Sequence, residues 1–297
     1  MSSARFGTVL SAMVTPFMED GSLDVDGAVG LAQWLVGHGH DGLVLTGTTG
    51  EAPTLTDDEK VAIWRAVRQA VDVPLLAGSG SNDTRHTVDL SQRAAETGVD
   101  GLLVVVPYYN RPPQAGIEAH MRAVAAATGM PIVMYDVPHR TGRAMTVETI
   151  VRLATEVPTI AGLKDARGNP AEAARIVAEA PDDFDLYSGD DSLTLALLAA
   201  GAVGIVGVAT HWCGGYMAEM IRAFQGGDHD QARRINAELR ASFSYPVSEL
   251  WQAPGAVKAM LAELGLPSGP CRLPLGPVPE EARVRAKELI AALPVSR

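Results

Sequence analysis

The sequence predicts a single (β/α)8 barrel with a C-terminal helical extension, an α/β fold. Eight short apolar runs rich in β-branched residues recur at intervals of roughly 20–35 residues, and the stretches between them read as amphipathic helices. The runs are continuously apolar, which is typical of a parallel sheet buried on both faces. Eight strand–helix units in sequence favour closure into a barrel. An open doubly wound sheet remains the alternative, because strand count alone does not establish closure.

The predicted strands share a core of Val, Leu and Ile. They cover residues 8–15, 42–46, 73–78, 101–106, 131–135, 159–164, 184–188 and 203–208. Two of the clearest helices cover 57–71 and 84–98. Thr56 and Thr84 are the predicted N-caps of these helices, and Gly98 is the predicted C-cap of the second.

The chain is predicted to divide into a barrel over residues 1–225 and a helical extension over residues 226–297. The second part carries three helical patterns, over residues 228–243, 249–265 and 280–293. Internal repeats and low-complexity stretches are not evident, so the extension is expected to pack on the barrel.

Composition excludes several classes of protein. The net charge of −11 argues against nucleic-acid binding, because a phosphate-facing surface needs clustered Lys and Arg. Cys213 and Cys271 are too few for a disulfide framework and lack metal-ligand spacing, so no metal is expected. Neither a signal peptide nor an apolar run of membrane-spanning length is present, which predicts a cytoplasmic protein without membrane contact.

Chemistry in a (β/α)8 barrel lies at the carboxyl ends of the strands. Lys164 ends the sixth predicted strand, where burial would lower the pKa of its amine and leave more of the nucleophilic form. The alternative is a lysine that pairs with an inner carboxylate or reaches the barrel rim. Tyr135 ends the preceding strand and could exchange protons beside such an amine, or could simply be a core tyrosine.

Three further strand ends carry polar groups. Residues 47–51 (GTTGE) offer hydroxyls and backbone amides suited to a carboxylate, but lack the lysine of a P-loop. Arg140 lies in the loop after the fifth strand, where a guanidinium suits a substrate carboxylate, although a solvated surface arginine is the commoner case. The aromatic stretch 107–113 (PYYNRPP) fits a subunit interface as readily as a site. Residues 188–191 (SGDD) are interpreted as helix capping rather than as a Mg²⁺ site.

Taken together, these motifs resemble those of the dihydrodipicolinate synthase/N-acetylneuraminate lyase superfamily of pyruvate-dependent class I aldolases. AMVTPF, GTTGE, PYYNRPP, YDVPHRTG, GLKDA and SGDD stand in the family's order and spacing over nearly the whole chain. The resemblance implies that Lys164 forms a Schiff base with pyruvate, with no other cofactor. Tyr135 would exchange protons with it, and Thr49 would link Tyr135 to Tyr109 from a neighbouring subunit.

The same resemblance implies the residues that bind substrate and the form of the assembly. Thr48 and the Thr49 amide would hold the pyruvate carboxylate, and Gly204 and Ile205 would lie near the imine. Arg140 would bind the carboxylate of L-aspartate-4-semialdehyde, which makes condensation of pyruvate with that aldehyde the favoured reaction, in lysine and diaminopimelate biosynthesis. A homotetramer, as a dimer of dimers, is expected.

Two departures from the family's pattern keep a rival open. Gly207 and the stretch 210–212 (Thr-His-Trp) follow the eighth strand, on a wall that is expected to face the second substrate. Asp136 stands where Asn is commoner. The rival is a related pyruvate aldolase that acts on a 2-keto-3-deoxy sugar acid, and a non-catalytic barrel is a further alternative. For regulation, Lys60 and His86 replace residues that bind lysine in sensitive relatives, so insensitivity to lysine is predicted.

Overall fold

The computed structural model describes residues 4–248 and 250–293. Eight parallel strands close into a barrel in which each strand pairs with the next and β8 pairs with β1, which confirms the predicted fold class. The open-sheet alternative is therefore wrong. The strands are β1 (Val9–Ala12), β2 (Gly42–Leu45), β3 (Leu75–Gly78), β4 (Gly101–Val105), β5 (Ile132–Asp136), β6 (Ile160–Asp165), β7 (Asp185–Ser188) and β8 (Gly204–Gly207).

Helices surround the barrel and follow the strands in turn. Up to residue 225 they are α1 (Val25–Gly37), α2 (Asp57–Ala70), α3 (Thr84–Ala95), α4 (Gln114–Thr128), α5 (Pro138–Thr141), α6 (Val147–Glu156), α7 (Pro170–Glu179), α8 (Thr194–Ala199) and α9 (Thr210–Gln225). The C-terminal part adds α10 (His229–Glu238), α11 (Arg240–Ser244), α12 (Ala253–Glu263) and α13 (Glu280–Ala292).

Alternation along the strands separates two apolar layers. One set of side chains fills the barrel interior, and includes Leu10, Val44, Leu76, Leu103, Val133, Tyr135, Tyr187 and Val206. The other set faces the surrounding helices and forms a larger cluster that also includes side chains of α10, α12 and α13. The C-terminal helices thus share the outer core of the barrel, while the inner layer determines which side chains can reach the mouth.

The helix ends test the predicted caps. Thr56 caps α2 in a reciprocal capping box with Glu59, as predicted. The prediction for Thr84 is wrong, because the side chain of Asp83 accepts the Arg85 amide at 2.8 Å and caps α3. Thr84 instead bonds His120 through its hydroxyl. The C-cap prediction is also displaced, since α3 ends at Ala95 and Gly98 follows in the connection with φ +84°.

The predicted helix over residues 228–243 is divided at Leu239 into α10 and α11. The prediction over residues 249–265 starts too early, because α12 begins at Ala253. The last helix agrees with the prediction to one residue. Residue 249 and the end of the predicted extension, residues 294–297, lie outside the described residues. Over the ranges described, no helix is long and apolar enough to cross a membrane.

Candidate active site

A cavity of about 730 Å³ opens at the carboxyl ends of β2 to β5. Four of the predicted site residues contribute to its lining: Thr48, Tyr109, Tyr135 and Arg140. They come from β5 and from the connections that follow β2, β4 and β5, which lie along one stretch of the carboxyl edge of the sheet. The described lining does not include Lys164 or Thr49. Both are buried, with 4% and 5% of their surface exposed.

Lys164 lies beside Tyr135 because β5 and β6 pair in register at these two residues. The amine nitrogen is 4.4 Å from the centre of the phenol ring. The pKa of Lys164 is lowered to about 8, mainly by burial; the negative charge of Asp191 opposes the shift and the positive charge of Arg140 adds to it. The residue therefore has the environment that makes an amine nucleophilic near neutral pH.

Tyr135 both lines the cavity and contacts Lys164. Burial raises the pKa of its phenol, while the nearby Arg140 charge and a hydrogen bond with the side chain of Thr48 act in the opposite direction. This hydrogen bond differs from the predicted one, which linked Tyr135 to Thr49.

The turn carrying Thr48 and Thr49 is tightly bonded. The amide of Glu51 donates to the Thr48 carbonyl at 3.1 Å, and the amide of Ala52 donates to the Gly47 carbonyl at 3.2 Å. The hydroxyl of Thr15 donates to the Gly50 carbonyl at 2.7 Å. A turn fixed in this way presents its hydroxyls and free amides in one arrangement, as anion recognition requires.

Arg140 lies in α5, a single helical turn that starts at Pro138 and ends at Gly142, whose φ is +73°. The proline fixes the start of the turn, and the glycine adopts the left-handed conformation that ends it. The side chain is exposed and lines the cavity, and it has no ion-pair partner among the residues of the two described ranges. An unpaired guanidinium above a buried amine suits a substrate anion.

Tyr109 is the most exposed of the predicted site residues. Its side chain is 89% exposed and its φ is +72°, a conformation that costs a tyrosine energy and favours glycine. The next residue fixes the loop, since the Asn110 side chain donates to the Asn82 carbonyl at 2.8 Å. A large aromatic side chain held out at the cavity rim is typical of a contact with another molecule.

Gly204 and Ile205 begin β8. The strand register places Gly204 opposite Tyr187, which in turn pairs with Lys164, and it places Ile205 opposite Ser188. A Cβ on Gly204 would lie 2.0 Å from the Thr8 carbonyl oxygen. Close packing of β1 against β8 therefore explains the glycine by itself. The predicted substrate contacts of the two residues remain predictions.

The expectation that the His211–Trp212 pair walls the substrate is wrong. His211 is fully buried; its Nε2 accepts the Val14 amide at 3.2 Å and its Nδ1 bonds the Val208 carbonyl at 2.8 Å. Trp212 packs outward, edge-on to Tyr245, with ring centres 5.9 Å apart. Both residues point away from the cavity because they begin α9, on the outer face of the barrel.

The SGDD motif has two separate roles. Asp190 accepts the Ser192 amide at 2.8 Å and caps the short helix that follows, as predicted. Asp191, whose role the sequence did not reveal, is 8% exposed and accepts the Val208 and Ala209 amides at 3.1–3.2 Å. A Cβ on Gly207 would lie 2.6 Å from an Asp191 oxygen, so the unexpected glycine makes room for this carboxylate.

Asp136, the second departure, points away from the cavity by strand alternation. It accepts the Met145 amide at 2.9 Å and lies 4.0 Å from Arg167. Burial raises the pKa of its carboxyl to about 7. The residue fixes the chain after Arg140 and does not contribute to the described lining of the cavity.

Formation of an imine at Lys164 is expected to accelerate as the pH rises through about 8, because only the neutral amine attacks a carbonyl. At one pH unit below the midpoint the rate should be about tenfold below its plateau. Asp191→Asn removes an anion that stabilises the ammonium form, so the midpoint should move to lower pH. Borohydride trapping with pyruvate at a series of pH values measures the pH dependence of imine formation and the shift of its midpoint in Asp191→Asn. A midpoint near 10.4, the value of an unperturbed lysine, would contradict this assignment.

The closed barrel, with a buried lysine and a polar cavity at the carboxyl ends of its strands, defines an enzyme of the (β/α)8 class. The sequence profile of the dihydrodipicolinate synthetase family matches residues 5–293. The chain belongs to this family.

Relatives of known name agree. A 4-hydroxy-tetrahydrodipicolinate synthase from Moorella thermoacetica is 50% identical over 291 residues, which cover 97% of each chain. The structure of a dihydrodipicolinate synthase from Bacillus anthracis has a TM-score of 0.94 at 43% identity and covers 97% of this chain and 99% of its own. The Cyanidioschyzon merolae enzyme, crystallised with lysine bound, has a TM-score of 0.94 at 41% identity, with 97% and 98% covered.

Proposed function

We propose that the protein is a lyase that condenses pyruvate with L-aspartate-4-semialdehyde to 4-hydroxy-tetrahydrodipicolinate, in lysine and diaminopimelate biosynthesis. The observation that carries the proposal is the buried Lys164 amine 4.4 Å from the ring centre of Tyr135, which lines a cavity together with the unpaired Arg140. Relatives of up to 50% identity that bear the synthase name support the same reaction.

The first half of the reaction belongs to Lys164. The neutral amine adds to the keto carbon of pyruvate, and loss of one water gives the imine. Tyr135 is the nearest phenol and exchanges the protons that this addition and dehydration require. Thr48 and the amide of Thr49 bind the pyruvate carboxylate, so that the methyl group faces the open cavity. Removal of a methyl proton then gives the enamine carbon nucleophile.

The second half joins the two substrates. The enamine carbon attacks the aldehyde carbonyl, whose oxygen takes up a proton and becomes a hydroxyl. Arg140 holds the carboxylate of the aldehyde substrate in place for this step. The amino group of the substrate then attacks the imine carbon, which closes the ring and releases Lys164. One water leaves overall, and the covalent imine is the only activated group that the route uses.

The test combines trapping with a substrate screen. Pyruvate plus borohydride should add one reduced adduct, located at Lys164 by peptide mapping. The same preparation is then assayed with aspartate semialdehyde and with aldehydes that give 2-keto-3-deoxy sugar acids. Because His211 and Trp212 pack outside the cavity, the main reason to favour a sugar-acid aldolase is absent. Faster turnover of a sugar-derived aldehyde than of aspartate semialdehyde would overturn the proposed substrate.

We expect the active form to be at least a dimer, and propose a tetramer in the cytoplasm, because the 89% exposed Tyr109 at the rim of the cavity is available to the site of a neighbouring barrel. Tyr109→Ala and Lys164→Ala should each be nearly inactive alone. Mixed after subunit exchange, they should regain activity, since one site of each hybrid dimer combines an intact Lys164 with an intact Tyr109 from its neighbour. Failure to regain activity in verified hybrids, or a fully active monomer in sedimentation, would contradict the shared site.

L-lysine at millimolar concentration is expected to leave the condensation rate unchanged. Asp57 is the carboxylate in the described lining of the cavity that could bind a ligand ammonium, but the protein's own side chains already bind it: His86 Nε2 at 2.8 Å and Lys60 Nζ at 3.6 Å. A ligand would have to displace them, and loss of even one such pair weakens binding substantially. The double variant Lys60→His/His86→Glu should gain sensitivity. Strong, saturable inhibition of the unchanged protein would contradict the prediction.

A further inference from the structure

We propose that Lys258, in the C-terminal extension, is a positioning residue for the loop that binds the pyruvate carboxylate, and that it acts through the buried carboxylate of Glu51. The inference rests on the proposed function, because it assigns the Gly47–Glu51 loop to pyruvate. It makes α12 a part of the active-site machinery rather than a cover on the outside of the barrel.

The two side chains form an ion pair that is sealed from solvent. Lys258 Nζ lies 2.6 Å from Glu51 Oε1, with side-chain exposures of 1% and 0%. The ammonium also donates to the Pro270 carbonyl at 2.7 Å. The other oxygen of Glu51 accepts the Arg272 amide at 2.9 Å. A buried carboxylate needs such partners on each oxygen, since an unpaired buried charge is strongly destabilising.

The conformation of Glu51 shows that the contact holds the loop. Its φ and ψ are 57° and 37°, in the left-handed region that a residue other than glycine adopts only when its surroundings impose it. The amide of this same residue closes the turn on the Thr48 carbonyl at 3.1 Å. Fixing the Glu51 side chain therefore fixes the direction of the Thr48 and Thr49 groups, which are assigned to the pyruvate carboxylate.

The C-terminal extension also contacts a second segment of the site, the connection that follows β1. The ring of Phe17, which ends the AMVTPF motif, contacts two cations: Lys258 Nζ and the Arg272 guanidinium are each 4.2 Å from its centre. The Phe17 amide donates to the Ser268 carbonyl at 3.3 Å. Thr15, two residues earlier, bonds the Gly50 carbonyl, so the β1 and β2 connections are held as one block.

Arg272 provides an independent anchor, which makes Lys258 the better residue to test. Its guanidinium forms two bonds with Glu59 at 2.9 and 2.6 Å and also donates to the Thr54 carbonyl at 2.8 Å. With Arg272 in place, the extension stays attached to the start of α2 when Lys258 is changed. The Lys258–Glu51 contact can then be removed without detaching the extension.

The experiment separates positioning from mere stability with a single and a double variant. Lys258→Met leaves Glu51 unpaired and should lower Tm. Lys258→Met/Glu51→Gln removes both charges. It should recover most of the lost Tm, but the ion pair that fixes the turn is still absent. For both variants we expect KM for pyruvate to rise about tenfold to a hundredfold, while KM for the aldehyde changes less than about threefold. Lys287→Met, at an exposed lysine of α13 in the same extension, is the matched control. It should change neither Tm nor KM for either substrate.

Amide hydrogen exchange gives a readout that does not depend on substrate. In the double variant, exchange at the Gly47–Ala52 amides should rise about tenfold or more, while that of the barrel strands stays unchanged. Recovery of both Tm and pyruvate KM, or unchanged exchange in the turn, overturns the inference. Failure of the proposed function gives a different result: the unaltered protein would form no pyruvate adduct at Lys164. In that case the hydrogen-exchange measurement would still decide whether Lys258 fixes the turn.

Discussion

Lys164→Ala is expected to abolish pyruvate trapping and to lower the condensation rate by about 10³-fold or more, because it removes the amine assigned to the covalent intermediate. The amine is buried, beside Tyr135, and free of an ion-pair partner in the described parts of the chain. Its removal should not unfold the barrel, since it takes away a buried charge that costs desolvation and leaves the strand pairing intact. Intact-mass measurement after borohydride, steady-state kinetics and a thermal melt check the three parts of this expectation.

The control for this experiment is Lys287→Ala, on the outer surface of α13, where the side chain is 63% exposed. That variant should still be labelled once, at Lys164. Labelling that persists in Lys164→Ala, or an adduct mapped to another lysine of the unaltered protein, would show that the nucleophile has been assigned to the wrong residue.

Arg140→Ala should reduce kcat/KM for aspartate semialdehyde about 30- to 1000-fold, equivalent to about 2–4 kcal/mol for a lost charge-assisted contact to a carboxylate. Pyruvate trapping should be affected far less. The variant should also need a slightly higher pH for trapping, because the Arg140 charge helps to lower the pKa of Lys164. Measuring kcat/KM for both substrates and the pH profile of trapping separates these effects.

A matched control is Arg152→Ala on α6, where the side chain is 49% exposed and pairs with Glu118 at 3.6 Å. This variant should leave kcat/KM unchanged for both substrates. Arg140→Lys should recover only part of the loss, because an ammonium cannot bind a carboxylate with two parallel hydrogen bonds. Normal turnover of aspartate semialdehyde by Arg140→Ala would remove the main residue-level reason for choosing this aldehyde.

The sequence predicted the barrel well because each strand is a continuous apolar run. Such a run is recognised from a few consecutive residues, without knowledge of its tertiary contacts. It also predicted which residues gather at the mouth, since Thr48, Tyr109, Tyr135 and Arg140 lie at or shortly after the carboxyl ends of strands. Position after a strand does not determine side-chain direction, however. His211 was expected to face the substrate and instead bonds the backbone of two connections, because α9 starts immediately after β8 and turns its first residues outward.

What the sequence could not reveal depends on contacts between distant segments. Lys258 and Glu51 lie near opposite ends of the chain, and neither stands out locally: one is a lysine in an apolar helix, the other ends a glycine-threonine turn. Asp191 was interpreted together with its neighbour as a cap, although only Asp190 acts as one. The positive φ of Glu51 and the orientation of these carboxylates are set by tertiary packing, which no local pattern encodes.

Closure of the barrel through the pairing of β1 with β8 has a consequence for synthesis on the ribosome. β1 is synthesised before the other strands, whereas β8, which pairs with it to close the barrel, ends only at Gly207. Until β8 has left the exit tunnel of the ribosome, the emerging chain therefore holds an incomplete sheet with two open edges. Unpaired edges of apolar strands readily bind other strands. Nascent chains of this protein are therefore exposed to misassembly for most of translation, and slow elongation or a shortage of chaperones should lower its yield before any effect on the finished enzyme is seen.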